Sequence, residues 1–247
     1  MLAEERFSRI MSIIEDKGSA TVQELMEALD ASESTVRRDL NTMDSNGLLV
    51  KVFGGAVAKN SNIRTQDEKV DNRKLQNRDE KVAIAKYAAK LIENGDFVYV
   101  DAGTSTELMI DYIQVSNATF VTNSFTHAKK LSEKGYVVYI LGGEFKSTTE
   151  AIVGEEAVVT LDKYNFTKGF WGTNGISISK GFSTPEVKEA MVKRKSMENC
   201  KEKYVLADST KFSQISSVKF AEFDNAIIIT TKSVNPSYKK YNNIKEV

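Results

Sequence analysis

Residues 32–40 read Ser-Glu-Ser-Thr-Val-Arg-Arg-Asp-Leu and carry the pattern of a capped amphipathic helix. Ser32 is a favourable N-cap, because its hydroxyl can accept a hydrogen bond from a free backbone N–H of the first turn. Asn46 and Gly47 then supply a C-terminal stop. Apolar residues recur at helical spacing between these two signals and form one seam: Val36, Leu40 and Met43.

The face opposite this seam is polar and basic. Short hydroxyl and amide groups with two guanidinium groups are the side chains that reach base edges and phosphates of DNA. We predict that DNA contacts come from Ser34, Thr35, Arg37, Arg38, Asn41 and Thr42. An apolar stretch with a double glycine follows at residues 48–56 and indicates a hairpin wing. In that wing Lys51 can meet a phosphate as a point charge, and we expect Phe53 to pack against the wing.

Two further helices are predicted upstream. Thr21 and Glu24 have the spacing of a capping box, and an apolar face follows at Val22, Leu25, Met26 and Leu29. An earlier helix, from about residue 4 to 16, has Phe7, Ile10, Met11 and Ile14 at helical spacing. Three short helices and a wing predict a winged helix-turn-helix DNA-binding domain over residues 1–56. The alternative is an ordinary small α-rich core.

The same region resembles the N-terminal domain of the DeoR family of bacterial repressors. The resemblance is carried by Thr-Val-Arg-Arg-Asp-Leu at residues 35–40 and Gly-Gly-Ala at residues 54–56, with matches at Arg6, Ile10, Gly18, Val22, Leu25, Ser32, Gly47 and Leu48. Many members have Arg-x-His or Arg-x-Tyr before the double glycine, where this chain has Lys51-Val52-Phe53. At these positions the wing departs from the family pattern, so the resemblance does not assign its DNA contacts.

Charge sets a condition on DNA binding. The whole chain of 247 residues has a formal net charge of +0, and residues 1–56 hold six Lys or Arg against ten Asp or Glu, a formal charge of −4. Because the phosphate contribution to affinity scales with the number of contacts, one such domain alone should bind weakly. We therefore expect a homodimer or homotetramer on operator DNA.

Composition argues against several other classes of protein. No apolar run reaches the ~18 residues of a membrane span, and the N-terminus lacks the pattern of a signal sequence, so we expect a cytoplasmic protein without membrane contact. The chain has one cysteine, Cys200, and one histidine, His127, which we expect on a surface helix. This leaves little material for a metal site or for Ser-His or Cys-His catalysis, and we expect no metal and no cofactor.

The rest of the chain indicates a second domain. Residues 57–74 are predicted to include a polar linker, and residues 67–94 to be largely helical. From Gly95 short apolar strands alternate with helices, one of which we expect to begin with Pro185 at its first position. This alternation predicts an α/β domain over residues 75–247 with a doubly wound, mostly parallel sheet. In such sheets a ligand binds at the carboxyl ends of the strands.

Those strand ends are small and polar in this sequence. Residues 101–106 read Asp-Ala-Gly-Thr-Ser-Thr and precede a helix, so their backbone N–H groups could hold an anion, most simply phosphate. Asn123 and Ser124 offer polar groups for sugar oxygens, and Gly142-Gly143 permits close backbone approach. Lys211 would add positive charge at the same rim. Any one of these turns alone is more simply a helix cap.

These segments, with residues 184–194, resemble the effector domain of the same family. The resemblance implies a fold related to ribose-5-phosphate isomerase and coenzyme A transferases, with a sugar phosphate as effector. It places the phosphate loop on Gly103, Thr104, Ser105 and Thr106, and sugar contacts on Asp101, Asn123, Lys193 and Lys211. Gly175, at the end of another predicted strand, is expected at the same rim from the strand pattern. Within the family the chain most resembles repressors of fructose-utilisation operons, which makes fructose 1-phosphate a candidate effector.

Two other classes of function remain open. The first is a sugar-phosphate isomerase-like enzyme, but the corresponding turn, residues 172–177, contains no acid to abstract a proton. Glu186 and Glu189 lie nearby and are more simply solvated or paired with Lys193. The second is an interaction protein with no small ligand, which a thermal-shift panel of sugar phosphates would distinguish.

Overall fold

The structure, a computed structural model, describes residues 2–58, 63, 65–231, 238 and 240–247. Residues 2–58 form a compact helical unit with a three-stranded antiparallel sheet of order β1-β3-β2. Its elements are α1 (Ala3–Lys17), β1 (Ser19–Thr21), α2 (Val22–Leu29), α3 (Glu33–Ser45), β2 (Leu49–Val52) and β3 (Gly55–Ala58). The predicted winged helix-turn-helix is confirmed.

Local chemistry explains why α2 and α3 begin where they do. The Thr21 hydroxyl accepts from the backbone N–H of Glu24, whose carboxylate accepts from the backbone N–H of Thr21. The Ser32 hydroxyl likewise accepts from the backbone N–H of Thr35. The seam of α3 is fully buried at Val36, Leu40 and Met43. Burial of this seam, rather than helix propensity, supplies most of the stability of so short a helix.

A buried ion pair also fixes α3 against α1. Asp39 is 3% exposed, and the guanidinium of Arg6 meets its carboxylate with two hydrogen bonds, Nε to Oδ2 at 2.6 Å and Nη2 to Oδ1 at 3.1 Å. This fork-to-carboxylate geometry is directional as well as attractive. It therefore orients the polar face of α3 relative to the rest of the unit.

The wing turns at Phe53 and Gly54. Gly54 has a φ of +82°, a left-handed conformation that favours glycine. A Cβ on Gly55 would lie 2.3 Å from the carbonyl oxygen of Ala20, so β3 can approach β1 only because this residue has no side chain. The expectation that Phe53 packs against the wing was wrong. Its side chain is fully exposed, because it lies at the hairpin tip beyond the strands that could cover it.

The remaining described residues form an α/β unit. A seven-stranded, wholly parallel sheet of order β15-β14-β12-β9-β4-β5-β6 runs through it. Its elements are α4 (Val70–Leu75), α5 (Arg78–Ala89), β4 (Phe97–Val100), α6 (Thr104–Asp111), β5 (Thr119–Thr122), α7 (Phe125–Glu133), β6 (Val137–Ile140), β7 (Glu144–Lys146), β8 (Ala151–Val153), α8 (Glu155–Leu161), β9 (Phe166–Gly172), β10 (Gly175–Ser177), β11 (Gly181–Thr184), α9 (Val187–Glu198), β12 (Cys200–Leu206), β13 (Val218–Ala221), β14 (Ile227–Thr230) and β15 (Ile244–Glu246).

Helices cover both faces of this sheet and bury an apolar core on each. One core includes Tyr99, Trp171 and Val205, and the other includes Val98, Phe120 and Phe170. Alternate residues of the same strands enter opposite cores, as expected for a sheet that is buried on both sides. The predicted doubly wound sheet is therefore confirmed. Among the described residues, no helix combines the length and the apolar character needed to cross a membrane.

Three local features differ from the sequence predictions. The helix expected over residues 67–94 is two helices, α4 and α5, because Asn77 adopts a left-handed φ of 49° between them. Pro185 precedes helix α9 instead of opening it, since Glu186 is the N-cap and accepts from the N–H groups of Lys188 and Glu189. The sequence did not predict the short antiparallel pair β7-β8 or the three-stranded antiparallel sheet β10-β11-β13.

Replacement of Gly55 by alanine tests the close approach of β3 and β1. The added methyl group must displace the Ala20 backbone, and overpacking of this kind costs about 1–3 kcal/mol. Chemical unfolding of the N-terminal unit, followed by far-UV circular dichroism, should show that loss. Ser19→Ala is the control, because it changes an exposed residue of β1 in the same unit. Equal stability of Gly55→Ala and wild type would contradict the packing of the wing.

Candidate functional sites

The polar face of α3 is exposed, as a DNA-reading helix requires. Ser34, Arg37, Arg38, Asn41 and Thr42 are exposed and Thr35 is half-buried. Ser34, Arg38, Asn41 and Thr42 lie at three- and four-residue spacing and therefore share one side of the helix.

Lys51 and Arg37, two of the residues predicted to contact DNA, each bind a neighbouring side chain of the protein. The Lys51 ammonium donates to the Asn41 side-chain oxygen at 2.6 Å, which brings the wing lysine to the exposed face of α3. The backbone N–H of Lys51 donates to Asp44 at 3.2 Å and fastens β2 to the end of α3. Arg37 forms an exposed ion pair with Glu33 at 2.7 Å. Arg37 lies at four-residue spacing from Asn41 and Arg38 at four-residue spacing from Thr42, but of the two arginines only Arg37 is held by an ion pair in the described structure.

A second candidate site is a cleft at the carboxyl ends of the parallel strands, partly open to solvent. The loop between β4 and α6 forms one wall, and the end of β9 forms another. The lining residues are Arg73, Lys81, Ala102, Gly103, Thr104, Ser105, Gly172, Thr173, Asn174, Glu189, Lys193, Leu206, Asp208 and Lys211.

The wall formed by the β4–α6 loop presents the first turn of a helix. Gly103 is the N-cap of α6 and supplies no side chain to satisfy the free N–H groups of that turn. Such N–H groups and the positive end of the helix dipole favour an anion. Thr106 stabilises the loop instead of facing the cleft, because its buried hydroxyl is within hydrogen-bond distance of the carbonyls of Asp101 (2.7 Å) and Gly103 (2.8 Å).

Positive charge predominates in the cleft. Four cationic side chains line it, against the carboxylates of Glu189 and Asp208. Burial lowers the pKa of Lys81 to about 8, and the charges of Lys211 and Arg73 act in the same direction, against the attraction of Asp208. A bound anion would oppose this shift and favour the charged ammonium.

The floor of the cleft is a buried ion pair. The Lys193 ammonium contacts Asp101 Oδ2, and it also donates to the Gly172 carbonyl at 3.2 Å. Both side chains are almost completely buried. Burial raises the pKa of Asp101, whereas the Lys193 charge and the N–H of Gly172 oppose that rise. The second carboxylate oxygen, Oδ1, has no hydrogen-bond partner in the described structure.

The predicted effector residues occupy different positions around this cleft. Gly103, Thr104, Ser105, Lys193 and Lys211 line it, and Asp101 lies behind Lys193. Other predicted residues do not line it: Thr106, Asn123, Ser124, Gly142, Gly143 and Gly175.

The residues outside the lining have structural positions. Asn123 holds the loop, because its side-chain oxygen accepts from the Ala102 N–H at 2.8 Å. Ser124 caps α7 by accepting from the N–H of His127. Gly143 lines a separate depression with Glu155 and Lys188. Gly175 is pressed against the Gln214 carbonyl, which a Cβ would approach to 2.3 Å.

Sequence reasoning missed two cations of the cleft, Arg73 and Lys81. A signal was present for Lys81, because it lies at helical spacing with the buried Ile84, Ala85 and Ala88, where an apolar residue is expected. No local signal identifies Arg73. It reaches the cleft only because α4 lies near the strand ends.

The prediction for His127 was wrong. It lies on α7 but is 2% exposed, since α7 turns this residue toward the loop at Gly103 instead of solvent. Burial lowers the pKa of His127 to about 3, although a hydrogen bond with the Gly103 backbone acts in the opposite direction. The imidazole is therefore neutral at pH 7 and supports the loop as an uncharged group.

Comparison with known proteins gives consistent matches along the chain. Residues 6–62 match the family described as the DeoR-like helix-turn-helix domain, and residues 76–233 match the DeoR C terminal sensor domain. The chain is 42% identical over 242 residues to the HTH-type transcriptional regulator FruR of Bacillus subtilis, itself uncharacterized, covering 98% of this chain and 96% of the relative. It is 35% identical over 226 residues to the lactose phosphotransferase system repressor of Staphylococcus aureus, covering 89% and 88%.

A solved structure also resembles the chain. Ribose 5-phosphate isomerase A of Methanocaldococcus jannaschii matches with a TM-score of 0.42 and 17% sequence identity. The match covers 56% of this chain and 55% of the isomerase, about half of each.

The buried histidine predicts a specific pH dependence. The unfolded chain binds a proton at His127 near pH 6.5, whereas the folded protein does so only near pH 3. Falling pH between these values therefore favours unfolding, by up to about 1.4 kcal/mol per pH unit. Urea unfolding at several pH values, followed through the single tryptophan, Trp171, gives the free energy of unfolding as a function of pH. Between pH 6.5 and pH 3, the slope of that free energy against pH should be smaller in His127→Gln than in wild type by the contribution of about one proton. Identical slopes would contradict the buried neutral imidazole.

Proposed function

Because the chain belongs to the DeoR family of helix-turn-helix transcriptional regulators, we propose that it represses a sugar-utilisation operon and leaves its operator when a sugar phosphate binds the strand-end cleft. The observation that carries the proposal is the cationic cleft beside the uncapped first turn of α6. That cleft and the exposed reading face of α3 belong to one chain. Relatives named as regulators and as sugar-system repressors support the same assignment.

The DNA-binding half of the proposal rests on α3 and the wing. Arg38, Asn41 and Thr42 form an exposed surface to which Lys51 is joined through Asn41. The orientation of that surface is fixed by the Arg6–Asp39 pair and the buried seam. Because residues 1–56 carry a formal charge of −4, the electrostatic attraction between a single copy and the DNA phosphates is weak. The proposal therefore includes two or more copies on each operator.

The effector-binding half of the proposal rests on the charge and the polar groups of the cleft. A phosphate ester carries close to two negative charges, which match the cationic lining and the free N–H groups of α6. Polar side chains of Thr173, Asn174, Glu189 and Asp208 also line the cleft, and each is held in place by a hydrogen bond or ion pair within the protein. The resemblance to fructose-operon repressors makes fructose 1-phosphate the first effector to test.

The proposal assigns binding without turnover to this cleft. Glu189 is held by Lys146 at 3.1 Å, and Asp208 accepts from the N–H of Thr210 and from Asn77, both at 3.1 Å. Each carboxylate therefore has a structural partner. A general base must instead be placed to take a proton from the substrate. Detection of isomerised sugar phosphate by chromatography would favour the isomerase-like alternative.

Replacement of Arg38 by alanine tests the reading face. We expect weaker operator binding if this side chain contacts a phosphate. The slope of the logarithm of the binding constant against the logarithm of the salt concentration should then be smaller in magnitude by about one unit. Fluorescence anisotropy at several salt concentrations, with an operator duplex selected in vitro by the wild-type protein, measures both quantities. Arg78→Ala is the control, because it removes an exposed arginine on α5. Operator binding by Arg38→Ala equal to that of wild type would rule out this placement of α3.

Replacement of Lys211 by alanine tests the cleft. The variant should bind operator like wild type but require a higher fructose 1-phosphate concentration for release, because one cation is removed from the lining. Operator titrations with and without a panel of sugar phosphates provide the measurement. Lys201→Ala, an exposed lysine on β12, is the control. If no sugar phosphate alters wild-type binding, induction is disproved; if Lys211→Ala responds at wild-type concentrations, the assignment of Lys211 is disproved.

A further inference from the structure

The segment that follows the wing in sequence reaches the effector cleft directly. We define the connecting segment as residues 65–77, which contains α4. Its first part is fastened to the rest of the α/β unit, because Asp67 contacts the Lys146 ammonium and accepts from Asn174 at 3.2 Å. The backbone N–H of Val70 also donates to the Thr148 carbonyl at 3.1 Å. The segment is therefore part of the structure around the cleft.

One side chain of this segment enters the cleft lining. Arg73, in the middle of α4, lines the cleft with Lys81, Lys193 and Lys211. Its Nε is buried and has no hydrogen-bond partner in the described structure. Its carbonyl accepts from the Lys81 ammonium. A phosphate entering the cleft could accept from this Nε, because arginine binds phosphate oxygens through its fork of N–H groups.

A second connection runs through buried charges below the cleft. Lys146 joins Asp67 of the connecting segment to Glu189, which it contacts at 3.1 Å. Glu189 lies 4.0 Å from Lys193, whose ammonium contacts Asp101. Apart from Lys146, these side chains are each no more than 4% exposed. Because attraction between charges is strong at low dielectric, a new negative charge in the cleft affects several members of this chain together.

We propose that Arg73 couples the effector to the DNA-binding unit: the bound phosphate holds its guanidinium and thereby changes the position of the connecting segment, which without ligand is held by Asp67 and Val70. This inference rests on the proposed function of the cleft. Of the described cations that line the cleft, Arg73 alone lies in residues 65–77, between the wing and α5, whereas Lys81 and Lys193 lie on α5 and α9 and Lys211 follows β12. A ligand shifts a conformational equilibrium only by its differential affinity for the two states. The Arg73 contact supplies that difference.

A contact that couples differs measurably from one that only adds affinity. Loss of an affinity contact is overcome by more ligand, so the saturated protein still releases its operator. Loss of the coupling contact leaves a ligand-saturated protein that stays on DNA. The ratio of operator affinities without and with saturating effector separates these cases, since allosteric coupling typically changes affinity about 5–150-fold.

The experiment compares wild type with R73A, R73K, K211A and the control R78A in the full chain. Fluorescence of Trp171 or calorimetry first determines the fructose 1-phosphate concentration that saturates each protein, with inorganic phosphate as a second probe. Operator affinity is then measured with and without saturating fructose 1-phosphate. We expect the coupling ratio of R73A to fall below about 2-fold. R73K should give an intermediate ratio, and K211A and R78A the wild-type ratio.

Two outcomes separate the failures of the two proposals. A wild-type protein that binds no sugar phosphate, or whose operator affinity is unchanged by it, disproves the proposed function. A wild-type ratio in saturated R73A shows that Arg73 supplies affinity alone and overturns the inference.

A further variant decides the case in which R73A does not fold or no longer binds ligand. Asp67→Asn retains Arg73 and the cleft lining but removes the charge that fastens the connecting segment to Lys146. It should bind fructose 1-phosphate with nearly wild-type affinity and give a reduced coupling ratio. A wild-type ratio in both Asp67→Asn and R73K would overturn the inference.

Discussion

The buried ion pair between Lys193 and Asp101 is the interaction on which the cleft depends. It joins the middle of α9 to the end of β4, and through the Gly172 carbonyl also to the end of β9. Two charges removed from water carry a large desolvation cost, which is offset only when the pair is close and further hydrogen bonds complete it. The strand ends are consequently held in one arrangement, and the β4–α6 loop begins from a fixed point.

This pairing also bears on the charge of the cleft. Besides Lys193, the lining carries the cationic side chains of Arg73, Lys81 and Lys211 and the acidic side chains of Glu189 and Asp208, and the N–H groups of α6 add partial positive charge. Under the proposed function, phosphate binds at the rim, where the connecting segment, α5 and the turn at Lys211 meet. It then contacts elements from separate parts of the chain, and this is how a ligand can alter their relative positions.

The sequence predicted best what depends on neighbouring residues in the chain. The Ser32 cap, the seam of α3 and the polar strand ends are local patterns, and each is present in the structure. Phe53 and His127 could not be placed in this way, because exposure at a hairpin tip and burial under a loop depend on the tertiary arrangement. Arg73 is the clearest case: it lies within the expected linker, 57–74, and reaches the cleft only through contacts of Asp67 and Val70 with the β7–β8 region. Residues 59–62 and 64 of that linker lie outside the described residues.

Linked binding of sugar phosphate and operator is the central claim, and thermodynamic reciprocity tests it directly. Calorimetric titration of fructose 1-phosphate into the free protein, and into protein saturated with operator duplex, gives two dissociation constants. If the two sites are coupled, operator must weaken sugar-phosphate binding by the same factor by which the sugar phosphate weakens operator binding. Equal dissociation constants in the two titrations would contradict the claim.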